Sequence, residues 1–357
     1  LSPERVRYWV RAFRRRRLGI LAEAAVRLPK AAPASAPAAP PAPPGIRIGP
    51  FVLTAPAPIA PDDPMAEAGR KVLSIHFGRM LANEEGTRLG EDPEALHDMR
   101  VATRRMRAAL ALFAPYYKPK VLKPLGKGLR RTGRTLGAVR DLDVLIGKAR
   151  AYGERLMSEG RGDLTPLLEA WTAAREEARG RLLAYLDGPA YRRFVADFTA
   201  FLVAPAAPAA SPTASDQVRH VVPRLILERY EVVRSFERLL PGDDLATYHA
   251  LRIECKGLRY ALEFFREVLG PEAPALIKQV TAMQDLLGEL QDARVAEQLL
   301  TSFLEEAPAT ADLAGVKTYL AAQQRRQREL LAAFPAPWAD LVGPDFRRRL
   351  ALAIAAL

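Results

Sequence analysis

His97, Arg100, Arg104 and Arg107 stand 3, 4 and 3 residues apart. On a helix, that spacing lines the four side chains up as one stripe. A row of imidazole and guanidinium groups offers hydrogen-bond donors and positive charge, and the chemistry open to it is the capture of an anion. Arginine suits phosphate in particular. Its planar fork makes two hydrogen bonds at once, and its charge survives at any physiological pH. The same pattern returns 152 residues later as His249, Arg252, Lys256 and Arg259. One HxxRxxxRxxR is a weak signal, because solvated basic faces are common on helices. Two copies that agree are a strong one.

The elements that position these residues are helices. On a period of about 3.6 residues, Met99, Met106, Leu110 and Phe113 fall on the side opposite the first stripe, and Leu251, Leu258, Leu262 and Phe265 repeat them under the second. The two stretches are expected to run as helices from Pro93 to Tyr117 and from Leu245 to Leu269. A third helix opens at Pro119, with Leu122, Leu125, Leu129 and Leu136 on its inner side and Lys120, Lys123, Lys127, Arg130, Arg131 and Arg134 on the other. In the second copy Lys278 takes the place of Lys127, but Asp285 falls opposite Arg134, so the first copy supplies most of the charge. Leu136 to Asp141 matches Leu287 to Asp292. Asp141 is expected to start or cap a new helix, and the second copy is expected to break likewise between Leu290 and Asp292.

The two HxxRxxxRxxR helices, their shared apolar sides and the matched Leu-Gly…Asp segments resemble the CHAD domain (conserved histidine alpha-helical domain) over roughly residues 64 to 340. The resemblance implies an all-α fold of two related helical bundles facing each other across a basic channel. It also implies binding of inorganic polyphosphate without chemistry on it. The residues it points to are His97, Arg100, Arg104, Arg107, Lys127, Arg130, Arg131, Arg134, His249, Arg252, Lys256, Arg259 and Lys278, with Asp141 and Asp292 orienting or partly neutralising a neighbouring cation. His97 and His249 are the residues that define the family. A phosphate beside an imidazole favours its protonated form, so binding is expected to tighten in mild acid.

The rest of the chain fits that reading. Of 357 residues, 26% are charged and 49% hydrophobic, which is enough to build a core. The net charge is +12, and it is focused: eleven Lys and Arg lie between His97 and Arg134 against the single acid Asp98. Such focusing speaks for an anionic partner. The one cysteine, Cys255, rules out an internal disulfide and reads as a small buried hydrophobe. No cofactor and no metal site are expected. Nothing approaches the length of a membrane span, and a cytoplasmic setting, with polyphosphate granules as one location, is the expectation. Residues 1–30 are basic; Arg5 to Arg17 resembles the end of a homeodomain-like helix-turn-helix and so makes DNA a partner to consider. Residues 31–63 begin as an Ala/Pro-rich linker, with Ile46 to Thr54 extended or irregular. Residues 64–203 hold the first repeat, 204–215 a second linker and 216–357 the second repeat.

The main alternative is a nucleic-acid-binding protein, which the focused charge and the N-terminal stretch both suit. Against it, the basic stripes carry no stacking aromatic except Tyr260. An enzyme is not expected: there is no Gly-rich loop followed by Lys-Ser/Thr, no HxxxH and no carboxylate cluster suited to magnesium.

Overall fold

The computed structural model describes residues 46–48, 51–53, 56–160, 162–204, 216–242, 244–308 and 312–357. The expectations for residues 1–30 and for the Ala/Pro-rich stretches at 31–45 and 205–215 lie outside them. The fold is all-α. Its helices are α1 (Met65–Ala82), α2 (Glu84–Leu89), α3 (Pro93–Phe113), α4 (Pro119–Ser158), α5 (Thr165–Leu186), α6 (Pro189–Val203), α7 (Val218–Arg234), α8 (Leu245–Phe264), α9 (Ala273–Glu306), α10 (Ala314–Ala333), α11 (Pro335–Val342) and α12 (Pro344–Ile354). The stretch expected to be extended or irregular forms a small antiparallel hairpin, β1 (Ile46–Ile48) on β2 (Phe51–Leu53), with Ile46 opposite Leu53 and Ile48 opposite Phe51. No helix among the described residues is long and apolar enough to cross a membrane.

The two stripe-bearing helices start alike. Asp92 caps α3 by accepting from the Glu94 N–H at 2.8 Å, and Asp244 caps α8 by accepting from the Ala246 N–H at 2.9 Å. The two caps are themselves a matched pair, and each typically stabilises a helix by about 1 kcal/mol. The apolar sides are buried as expected. Met99, Met106 and Phe113 are fully enclosed with Leu110 close behind, and Leu251, Leu258, Leu262 and Phe265 are all fully enclosed. Burying one such side chain contributes about 1.5–3 kcal/mol.

One expectation is corrected. No helix starts at Asp141 or at Asp292. α4 runs unbroken through Gly137 and Asp141, and α9 through Gly288 and Asp292. A glycine inside a helix costs only about 1 kcal/mol relative to alanine. The apolar stripe, meanwhile, keeps its phase across the supposed break: Leu125, Leu129, Leu136, Val139 and Leu142 are all buried.

The described residues fall into two compact units, and each takes segments from both copies. The larger holds the described residues of 31–136, 183–284 and 337–357. In it α1 packs on α3 and α7 on α8, and the pairs are joined by contacts of α1 with α7 and of α3 with α8. Gly69 of α1 lets α3 approach closely, since a Cβ there would come within 2.7 Å of Phe113 Cγ. The chain just before α1 binds the start of α7, where the Val218 and Arg219 N–H groups donate to the Asp63 and Pro61 carbonyls.

The smaller unit holds 137–182 and 285–336. There Arg175 donates to Asp143 at 2.8 Å, Lys148 pairs with buried Asp292 at 2.8 Å, and Gln324 and Gln327 both donate to Glu297. Tyr152 and Tyr319 pack ring against ring.

Candidate anion-binding site

All thirteen basic candidates lie in the larger unit, on α3, the first part of α4, α8 and the start of α9. On the first copy they are open to solvent to differing degrees. Arg107, Lys127, Arg130, Arg131 and Arg134 are exposed, while His97, Arg100 and Arg104 are half-buried. Arg107 is where α3 and α4 meet electrostatically. Desolvation by the surrounding protein lowers its guanidinium pKa first, and the charges of Arg130, Arg100 and Arg134 lower it further, with Tyr260 pulling the other way. A guanidinium stays charged regardless. The direction of the shift therefore reports burial first and crowding of like charge second, and a bound polyanion would relieve the second. Arg131 also lies over the Tyr185 ring at 4.9 Å. The hydroxyl of that ring sits 2.9 Å from Thr132 Oγ1, so the ring beneath Arg131 is tied to α4.

The second copy differs. His249 and Lys256 are half-buried and Lys278 is exposed, but Arg252 is 1% and Arg259 7% exposed. The expectation that this stripe stands clear of its apolar floor is corrected for these two arginines. The reason is packing from other helices, which a stripe drawn on one helix does not include. Arg259 is held by Glu263 at 3.4 Å and lies over the Tyr260 ring at 5.2 Å. Burial lowers its pKa first, with Glu263 and Tyr260 opposing and Arg105 and Arg104 adding to the depression.

Two residues not singled out from the sequence, Arg105 and Glu263, complete the seam between α3 and α8 together with Tyr260. Arg105 reaches Glu263 at 2.9 Å and lies over the Tyr260 ring at 5.7 Å. Glu263 therefore bridges one arginine from each copy, and Tyr260 stacks against both. The spacing of Arg259 and Glu263, four apart on a helix, was a visible sign of such a pair; that Arg105 would join it required the contact of α3 with α8. His76 of α1 lies close by, 5% exposed and with its ring 6.0 Å from that of Phe264. Desolvation first, then Arg105 and Arg79, push its pKa down to about 3, so it sits neutral among cations.

Asp141 and Asp292 belong to the smaller unit. Both are buried in mid-helix, and Asp292 pairs with Lys148. Among the described residues no group of three or more His, Cys, Asp or Glu could hold a metal ion.

This arrangement of helices and the duplicated stripe can be set against known proteins. The model of the CHAD domain matches residues 71–301, more than half of the chain. The chain belongs to the CHAD family. The crystal structure of the CHAD domain from the plant Ricinus communis is 28% identical, with a TM-score of 0.62, over 81% of this chain and 96% of that one. PptA from Streptomyces chartreusis superposes with a TM-score of 0.58 over 77% and 99% of the two chains. At 17% identity it speaks for the CHAD fold alone. No curated protein sequence matches the chain. Every candidate residue named above lies inside the span matched by the CHAD model.

Proposed function

We propose that this CHAD protein binds inorganic polyphosphate without transforming it, in a channel lined by α3, the first part of α4, α8 and the start of α9. The observation that carries the reading is the cluster around Arg107, where the charges of Arg100 on its own helix and of Arg130 and Arg134 on α4 crowd one exposed guanidinium. Polyphosphate is a flexible chain with roughly one negative charge per phosphate and no base edges, so repeated cations at helical spacing are what it needs. His97, Arg100, Arg104, Arg107, Lys127, Arg130, Arg131 and Arg134 supply most contacts, and His249, Lys256 and Lys278 add to them from the second copy. Arg252 and Arg259 contribute charge from behind the surface. Asp141 and Asp292 support the helices rather than the ligand. Membership of the CHAD family adds to this reading, as does the lack of a phosphate-cradling Gly-rich motif in the sequence. Such a module would serve to hold or target the protein at polyphosphate, granules included.

The test is binding to long-chain polyphosphate at near-physiological salt, competed in turn by duplex DNA, single-stranded RNA and orthophosphate. Retention of polyphosphate against an excess of either nucleic acid supports the proposal. Even competition by DNA would reduce the cluster to a generic basic surface. Release of orthophosphate from the chain would show catalysis and overturn the non-enzymatic part.

A further inference from the structure

The helices α3 and α4 correspond in sequence to α8 and α9, yet the two stripes are not equally open. Arg107 is exposed, whereas its counterpart Arg259 is buried. In the first copy the wall helix leaves room beside the stripe. Gly133 of α4 lies against α3: a Cβ added there would stand 3.5 Å from Thr103 Cγ2, 3.7 Å from Arg107 Nη1 and 3.8 Å from Arg107 Cδ. Any longer side chain at 133 would grow into the space that the Arg107 side chain uses.

The register that sets Lys278 on Lys127 and Gly288 on Gly137 sets Gln284 on Gly133. Gln284 is fully buried, and neither Nε2 nor Oε1 of its amide has a hydrogen-bond partner. An amide in that state is a cost to the fold, so what this side chain contributes is bulk rather than hydrogen bonding. Its neighbours change in the same sense. Where the first copy has Arg130, Arg131 and Arg134, the second has Thr281, Ala282 and Asp285.

We propose that the Gly133/Gln284 pair decides which copy takes the ligand: glycine keeps the first stripe open and glutamine closes the second. Polyphosphate then lies along α3 and α4, and α8 acts mainly as the support behind them. This deepens the polyphosphate reading and rests on it.

The experiment compares wild type, Gly133→Ala and Gly133→Gln in the full chain, by affinity for long-chain polyphosphate and by thermal unfolding. Gly133→Ala is expected to bind within about twofold of wild type, because its Cβ meets only ordinary van der Waals contacts. Gly133→Gln is expected to bind at least about tenfold more weakly, through displaced charge-assisted contacts. Its Tm should be equal or higher, since Gln is a better helix former than Gly. A merely structural glycine would move the two readouts together. If wild type itself does not bind polyphosphate, the function proposed above fails. If wild type binds and a folded Gly133→Gln binds equally well, the gating inference fails alone. Should Gly133→Gln not fold, the matched half-buried pair decides: Arg104→Gln must lose more affinity than Lys256→Gln, and equal losses overturn the proposal.

Discussion

A guanidinium as enclosed as that of Arg252 cannot be removed as if it were a surface charge. Its loss leaves a cavity and strands whatever it was bonded to, so Arg252→Ala is expected to cost about 2–4 kcal/mol in urea unfolding. Arg100→Ala with Arg104→Ala, on half-buried side chains of the first copy, should change stability far less. That pair should lower polyphosphate affinity by roughly 1–3 kcal/mol per residue, read by titration. The reverse ranking would place the ligand on the wrong copy. His76 gives a second prediction. Folded, it resists protonation down to a pKa of about 3; unfolded, it takes up a proton near 6.5. The unfolded state therefore binds more protons across that window, and the stability owed to neutral His76 is present above about pH 6.5 and lost as pH falls toward about 3. His76→Phe, which keeps a ring against Phe264, should flatten the fall of the urea midpoint over that range. At this scale the sequence showed which residues carry charge. It did not show which of them the rest of the protein covers: Arg107 and Arg259 occupy matched places in matched patterns, yet Arg107 is exposed and Arg259 buried.

Helices were legible where burial imposes a period. The apolar sides of α3 and α8 lie where the 3.6-residue spacing put them, because one face of each meets α1 or α7. The hairpin was not, since strands of three residues are too short for alternation to register. The continuity of α4 and α9 was missed because glycine and aspartate look like punctuation, and nothing local reveals that packing on both sides holds the helix through them. Two other helical glycines make this testable. A Cβ added at Gly147 of α4 or Gly180 of α5 meets nothing within 4 Å, and both positions are exposed. Gly147→Ala and Gly180→Ala should each raise stability by about 0.5–1 kcal/mol in chemical unfolding, with polyphosphate affinity unchanged. Glu263→Gln should go the other way. It leaves Arg105 and Arg259 without their shared carboxylate, and a loss of about 2–4 kcal/mol is expected.

In the molecule as a whole, the duplication written in the sequence is not the division seen in the structure. Each compact unit draws on both copies, and within the larger one α3 meets α8 and α1 meets α7, each helix touching its own counterpart. That is how a surface meets itself in a two-fold dimer. Residues 64–203 made alone are accordingly expected to self-associate, which sedimentation would detect, and to exchange that partner for residues 216–357 when both are present. Carrying both partners on one chain makes a concentration-dependent encounter a permanent one. Two halves on one chain need not be identical: one carries Arg130, Arg131 and Arg134 where the other has Thr281, Ala282 and Asp285, a division of labour that a symmetric pair of separate chains could not hold.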